Sequence, residues 1–220
     1  MTRLGIACLG LVTMLAAQTP PPAQQGTGRA AGASPGAQPQ GGGRGRGGVQ
    51  VMTLSTTAWV DGGLVPMRFT QAGEEVSPPL TWTAPPDGVK SFVLHVHDVD
   101  ATNADGTLDT LHWLVWNIPA ESRGLPLHVQ QAPELPDGSR QLSVTGPYYR
   151  GPAAPASRPV HHYLFDLYAL DATVDIKATG QSAAPTRAAV LAAMAGHVRG
   201  KATLVGKFRY LPAPVKKISR

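Results

Sequence analysis

Cysteine is nearly absent from this 220-residue chain; Cys8 is the only one. A lone cysteine cannot close an internal disulfide, so a disulfide-stapled scaffold is excluded. Aromatic residues make up only 6% of the chain and charged residues only 15%. One long apolar stretch occurs, Leu4 to Leu15. It is shorter than the roughly 20 residues a bilayer-crossing helix needs, which excludes a polytopic membrane protein. The length suits one domain and leaves no room for a multi-domain enzyme.

Acidic residues are missing from both ends. All 14 lie between Asp61 and Asp175, while residues 1–50 hold Arg3, Arg29, Arg44 and Arg46 and no acid. The net charge of +5 therefore comes mostly from the N-terminal quarter, and the remainder carries 15 basic against 14 acidic residues. A polycation built to wrap nucleic acid is excluded, and no nucleic-acid partner is expected.

Glycine and proline are abundant instead, at 25 and 21 residues, well above ordinary usage. Their distribution divides the chain. Residues 1–17 read as a secretory signal: Arg3 supplies the positive end, an apolar stretch follows, and Leu15-Ala16-Ala17 offers small residues for cleavage. Cys8 precedes most of that apolar stretch, so lipidation there is not expected. Residues 18–50 are rich in Gln, Pro, Ala and Gly and carry almost no large apolar side chain, the composition of a flexible tether. Residues 51–212 form the folded domain, and 213–220 a basic tail. The mature chain is expected in the periplasm or outside the cell, with no transmembrane segment.

From Val51 onward, short apolar runs alternate with Pro, Gly and Asp clusters, as in a mainly β domain. The clearest strands are Ser91–His97, Leu111–Ile118 and His161–Leu170. Thr186 to Val198 reads as a helix capped by Thr186, with Val190, Leu191, Met194 and Val198 on one face. Lys201–Tyr210 alternates weakly and suits a returning strand. Trp59, Trp82, Trp113 and Trp116 lie in or beside these runs and are expected as core or pocket wall.

Strand alternation groups His112 with Leu114 and Trp116 on one face. It also groups His161 with Tyr163 and Phe165, and ends the Phe92, Leu94, Val96 face at Asp98. Asp98, His112, His161 and Tyr163 can then converge at one end of a sandwich. Histidines and a phenol donate hydrogen bonds, and a carboxylate fixes a histidine tautomer and favours its cationic form, so the set suits a small anion or phosphoryl head group.

An ordered series of motifs accompanies this set: Ser77-Pro78-Pro79-Leu80-Thr81-Trp82, Asp98-Val99-Asp100-Ala101, His112-Trp113, Tyr149-Arg150-Gly151-Pro152, His161-His162-Tyr163 and Leu167-Tyr168-Ala169-Leu170-Asp171. Gly196-His197-Val198 and Leu204-Val205-Gly206 follow. In this order they resemble the bacterial, Raf-kinase-inhibitor-like branch of the phosphatidylethanolamine-binding proteins, over roughly Val51 to Tyr210. The resemblance implies a β-sandwich of two antiparallel sheets with peripheral helices. It also implies a small anion pocket carried by Asp98, His112, Gly151, Pro152, His161 and Tyr163. Pro79, Trp82, Asp100, Tyr149 and Arg150 are candidates for its wall or rim. Two departures stand out. The family's Asp-Pro-Asp-Ala-Pro reads Asp98-Val99-Asp100-Ala101-Thr102, without either proline, and His162 replaces an arginine.

Other chemistries have weaker support. His95-Val96-His97 puts two imidazoles on one strand face, opposite Asp98, and is read as a sheet-face pair without a metal. No Gly-x-Ser-x-Gly elbow occurs, so a nucleophilic hydrolase lacks its main signature. An Asp/His hydrolase and an inhibitor of a secreted enzyme stay as alternatives to binding. The expected partner is a small anionic ligand or phospholipid head group; a protein partner and a homodimer remain open. No cofactor or catalytic residue is assigned.

Overall fold

The computed structural model describes residues 48–102, 106, 108–177 and 183–210. The signal at 1–17, nearly all of the tether and the tail at 213–220 lie outside these residues. Ten strands and one α-helix follow in chain order. They are β1 (Gln50–Val51), β2 (Leu54–Ser55), β3 (Gly63–Leu64), β4 (Leu80–Trp82), β5 (Ser91–Thr102), β6 (Asp109–Pro119), β7 (Gly124–Leu125), β8 (Arg140–Leu142), β9 (His161–Leu170), α1 (Ala183–Ala193) and β10 (Val198–Phe208). A single 3-10 turn, Met67–Phe69, lies between β3 and β4. The first strand begins one residue before the boundary expected at Val51.

Seven strands make the large sheet, in the order β1-β10-β9-β5-β6-β8 with β3 also on β10. Three make the small one, in the order β2-β4-β7. The long strands pair antiparallel, but β1 and β3 both run parallel to β10. The sandwich is therefore not purely antiparallel, a difference confined to two-residue edge strands that the chain lays down before its last strand.

Both faces of the large sheet are covered, which is why β5 and β6 read as nearly continuous apolar runs rather than alternating ones. Phe92, Leu94, Val96, Trp113, Val115 and Phe165 pack between the sheets. Val93, Leu114, Trp116 and Leu170 pack on the outer face against Val190 of α1 and Met194 just beyond its end. All four tryptophans are buried, and each indole N–H donates to a protein oxygen: Val205, Ser122 and Ile176 carbonyls, and the Gln141 side chain for Trp113. Burying a large apolar ring is worth about 1.5–3 kcal/mol only when its polar atom is satisfied in this way.

The helix differs from the reading of the sequence. It starts at Ala183, so Thr186 lies buried inside it rather than at its cap. It ends at Ala193, and Gly196 turns the chain with φ +81, a conformation glycine adopts freely. Val198 then opens β10 instead of closing the helix.

Candidate functional site

Strands β5 and β9 run in unbroken register from Ser91↔Leu170 to Asp98↔Tyr163. Alternation therefore holds along both, and it delivers Asp98, His161 and Tyr163 to the same corner. His161 Nδ1 lies 2.8 Å from Asp98 Oδ2. The other oxygen of Asp98 accepts the backbone N–H groups of Asp100 and Ala101 at 3.0 and 3.2 Å. The carboxylate is thus fully engaged although it is buried, and it fixes the His161 ring by one defined nitrogen.

His112 reaches this corner by a different route from the one alternation suggests. Leu114 and Trp116 face α1, while Trp113 and Val115 face the small sheet. The β5–β6 register steps from Val96↔Trp113 to His97↔Leu111, leaving His112 without a partner on β5. This bulge resets the alternation. It turns His112 edge-on to Tyr163, with ring centroids 5.0 Å apart, and away from Leu114 and Trp116. The bulge is clamped by the loop after β8: His112 Nδ1–H donates to the Arg150 carbonyl at 2.9 Å, and Arg150 N–H returns a bond to the His112 carbonyl at 3.0 Å.

The electrostatics of the two rings then diverge. Burial is the main influence on His112 and pulls its pKa below the ordinary 6.5, against the Arg150 carbonyl and the Asp98 charge. His112 is accordingly neutral near pH 7, with the proton on Nδ1 and the lone pair on Nε2. It is an acceptor, not the cationic donor that residue type alone suggested. Burial and the nearby Asp98 push the Tyr163 phenol well above its ordinary range, so it keeps its proton. Its oxygen accepts the Ala153 N–H at 3.2 Å.

These side chains line a cavity of about 300 Å³, together with Gln71, Thr110, Thr145, Arg150 and Pro155. Arg150, a rim candidate from the sequence, is one of the lining residues and pairs with Glu75 at 3.4 Å. Gly151 and Pro152 are not among the lining residues. They are buried against the 3-10 turn, with the Gly151 carbonyl accepting from Gln71 Nε2 at 2.7 Å and the Pro152 carbonyl from Gln71 N–H at 3.0 Å. They shape the loop that carries Arg150 and Ala153 into the cavity. Tyr149 is buried, donates to the Phe69 carbonyl at 2.9 Å and packs on Trp113. Trp82 lies in the core on Phe92, and the Pro79 carbonyl accepts from Thr56. Asp100 turns outward and accepts both the His162 N–H and Nδ1–H, at 2.6 and 2.8 Å. The pair Asp100–His162 thus ties the proline-free segment to β9.

His95 and His97 stack on the opposite face of the sheet, away from this cavity, with ring centroids 4.2 Å apart. Asp166 of β9 joins them there. Sequence reading missed it; its one signal was a lone acid inside an apolar strand.

Residues 55–209 match the family model described as phosphatidylethanolamine-binding protein. The chain belongs to this family. A UPF0098 protein of Methanothermobacter thermautotrophicus is 44% identical over 160 residues, spanning 72% of this chain and 99% of the relative. A Mycobacterium tuberculosis relative, LppC, carries a lipoprotein name and is 35% identical over 161 residues, 71% of this chain and 72% of its own. Among solved structures, a Chlamydia trachomatis protein described as a homologue of the family superimposes with a TM-score of 0.62 at 28% identity. That match covers 73% of this chain and 99% of that one. The family assignment accounts for the mainly β sandwich and for the ordered motifs on β5, β6 and β9. No helix among the described residues is long and apolar enough to cross a membrane.

Proposed function

We propose that this chain is an exported, non-catalytic binding protein for a small phosphorylated ligand held in the cavity at Asp98. The observation that carries this reading is the convergence of His161, Tyr163, Arg150 and neutral His112 on one cavity of about 300 Å³. Arg150 and the Tyr163 hydroxyl offer donors to anionic oxygens. His161 is held by Asp98 through Nδ1, which leaves its Nε2 for the ligand. His112 Nε2 offers an acceptor. Hydrogenphosphate carries both kinds of partner, P–O⁻ and P–OH, as does the monoanionic form of a phosphomonoester head group. A carboxylate carries only acceptors near pH 7 and leaves His112 unmatched. The volume lies at the small end for ligand sites, suited to a head group rather than acyl chains.

A binding role also accounts for the pairing of the polar groups. Asp98 bonds to His161 and to backbone, His112 bonds to backbone, and no hydroxyl donates to either ring among the described residues. An activated nucleophile would need such a bond. Export rests on the signal-like residues 1–17 and is supported by the lipoprotein name of the mycobacterial relative.

Calorimetric titration of the purified chain with phosphate, phosphoethanolamine and acetate tests the proposal. The two phosphorylated ligands are expected to bind and acetate to bind far more weakly. His161→Ala and Asp98→Asn should each weaken phosphate binding about 10- to 100-fold, the loss of one hydrogen bond to a charged group. Equal affinity for acetate, or unchanged phosphate binding in both variants, sinks the reading.

A further inference from the structure

The outer face of the large sheet carries a second polar cluster, independent of the cavity. His95 and His97 on β5 and Asp166 on β9 each present a ligand atom, and the three atoms lie within 4.8 Å of one another. His95 and Asp166 are register partners, and Asp166 also pairs with Thr203 across to β10. We propose that His95, His97 and Asp166 bind a first-row divalent cation of the zinc class.

Three features point to an ion rather than to a plain sheet-face pair. First, His95 is buried and its Nε2 has no hydrogen-bond partner. Buried ring nitrogens are rarely left this way, and a metal is one partner that would satisfy it. Second, the supporting groups are those a metal site needs. His97 Nδ1–H donates to Asp109, and Arg187 of α1 in turn holds Asp109 through its side chain and its carbonyl. This is the carboxylate–histidine arrangement that orients a ligating ring with Nε2 outward. Asp166 is prepared in the same manner. Its Oδ1 accepts from Thr203 and lies 3.5 Å from Lys201, so Oδ2 remains for the ion.

Third, the distances fit with little movement. His97 Nε2 and Asp166 Oδ2 are already 3.2 Å apart. Tetrahedral zinc with bonds of about 2.0–2.2 Å spaces its ligands roughly 3.4 Å apart, and the three atoms, all within 4.8 Å of one another, can close on an ion by small side-chain rotations. A cation between His97 and Asp166 would take the place of their direct contact. His95 is buried beside the stacked His97 ring, and imidazole ligates in its neutral form. Two nitrogens and one oxygen favour zinc, cobalt or nickel over magnesium or calcium. The fourth position is left for water.

The test uses the full chain purified without a histidine tag and stripped with chelator. Cobalt and zinc are titrated, bound metal is counted by mass spectrometry after gel filtration, and the cobalt visible spectrum reports coordination. One ion per chain is expected. Asp166→Asn and His97→Gln, checked for fold by circular dichroism, should abolish uptake, and Asp109→Asn should lower affinity about 10- to 100-fold as a supporting group. His161→Ala, in the separate cavity, should leave uptake intact. Failure of the unaltered chain to take up a stoichiometric ion overturns the proposal. So does uptake that survives both Asp166→Asn and His97→Gln or disappears in His161→Ala.

Discussion

His112 shows how one backbone irregularity sets the chemistry of a side chain. Its Nδ1–H is committed to the Arg150 carbonyl and its ring is buried, so the neutral form is favoured in the folded state. The folded pKa thus lies below the ordinary 6.5, and the unfolded chain binds the proton more readily. The linkage follows in sign. The stability that neutral His112 contributes is fully present above about pH 6.5 and is lost as pH falls through the folded value. In an NMR titration, the His112 ring resonances should titrate with a midpoint below the ordinary 6.5. A midpoint at or above 6.5 would remove the acceptor role and with it the preference for phosphate over carboxylate. Asp98, His161 and Tyr163 could be grouped from sequence because their strands keep period 2 without interruption. His112 could not be placed on its true face, since no glycine or proline marks the bulge. Asp166 escaped for another reason: its meeting with His95 is a matter of cross-strand register, which a single sequence does not display.

The element that builds the cavity wall is the loop from Tyr149 to Pro155, and its placement depends on close backbone contact. A Cβ added at Gly151 would lie 2.7 Å from the Phe69 carbonyl oxygen and 2.9 Å from Thr70 backbone atoms. Backbone cannot move aside as a flexible side chain would, so the loop or the 3-10 turn must shift. Gly151→Ala is expected to cost about 1–3 kcal/mol, as overpacking does. At this size that lowers the melting temperature by several degrees. Because Arg150 and Ala153 flank the site of strain, phosphate affinity should fall in parallel, measurable by the same calorimetry. An unchanged melting temperature would show that the contact is slack. The resemblance implied that Gly151 and Pro152 belong to the pocket; they stand behind the residues that line the cavity. At the same scale, the loss of two prolines after Asp98 has a visible consequence. Strand β5 runs on to Thr102, where proline would withhold ladder donors, and Asp100 pairs with His162.

For the whole molecule, the long strands and the mainly β character were readable from apolar runs between turn residues. The parallel attachment of β1 and β3 to β10 was not, since it joins segments more than 140 residues apart. The scarcity of cysteine acquires a consequence at this scale. If residues 1–17 are removed on export, Cys8 leaves with them, and the working protein contains no sulfhydryl at all. A chain without cysteine would be indifferent to the redox state of its compartment, its stability resting on the two apolar layers of the large sheet. Protein recovered from the envelope or medium of its own cells should therefore have an intact mass beginning at Gln18. It should react with no thiol reagent and melt at the same temperature with and without dithiothreitol. A recovered mass that retains residues 1–17, or one labelled thiol per chain, would instead mean that the apolar stretch stays attached and Cys8 remains part of the mature protein.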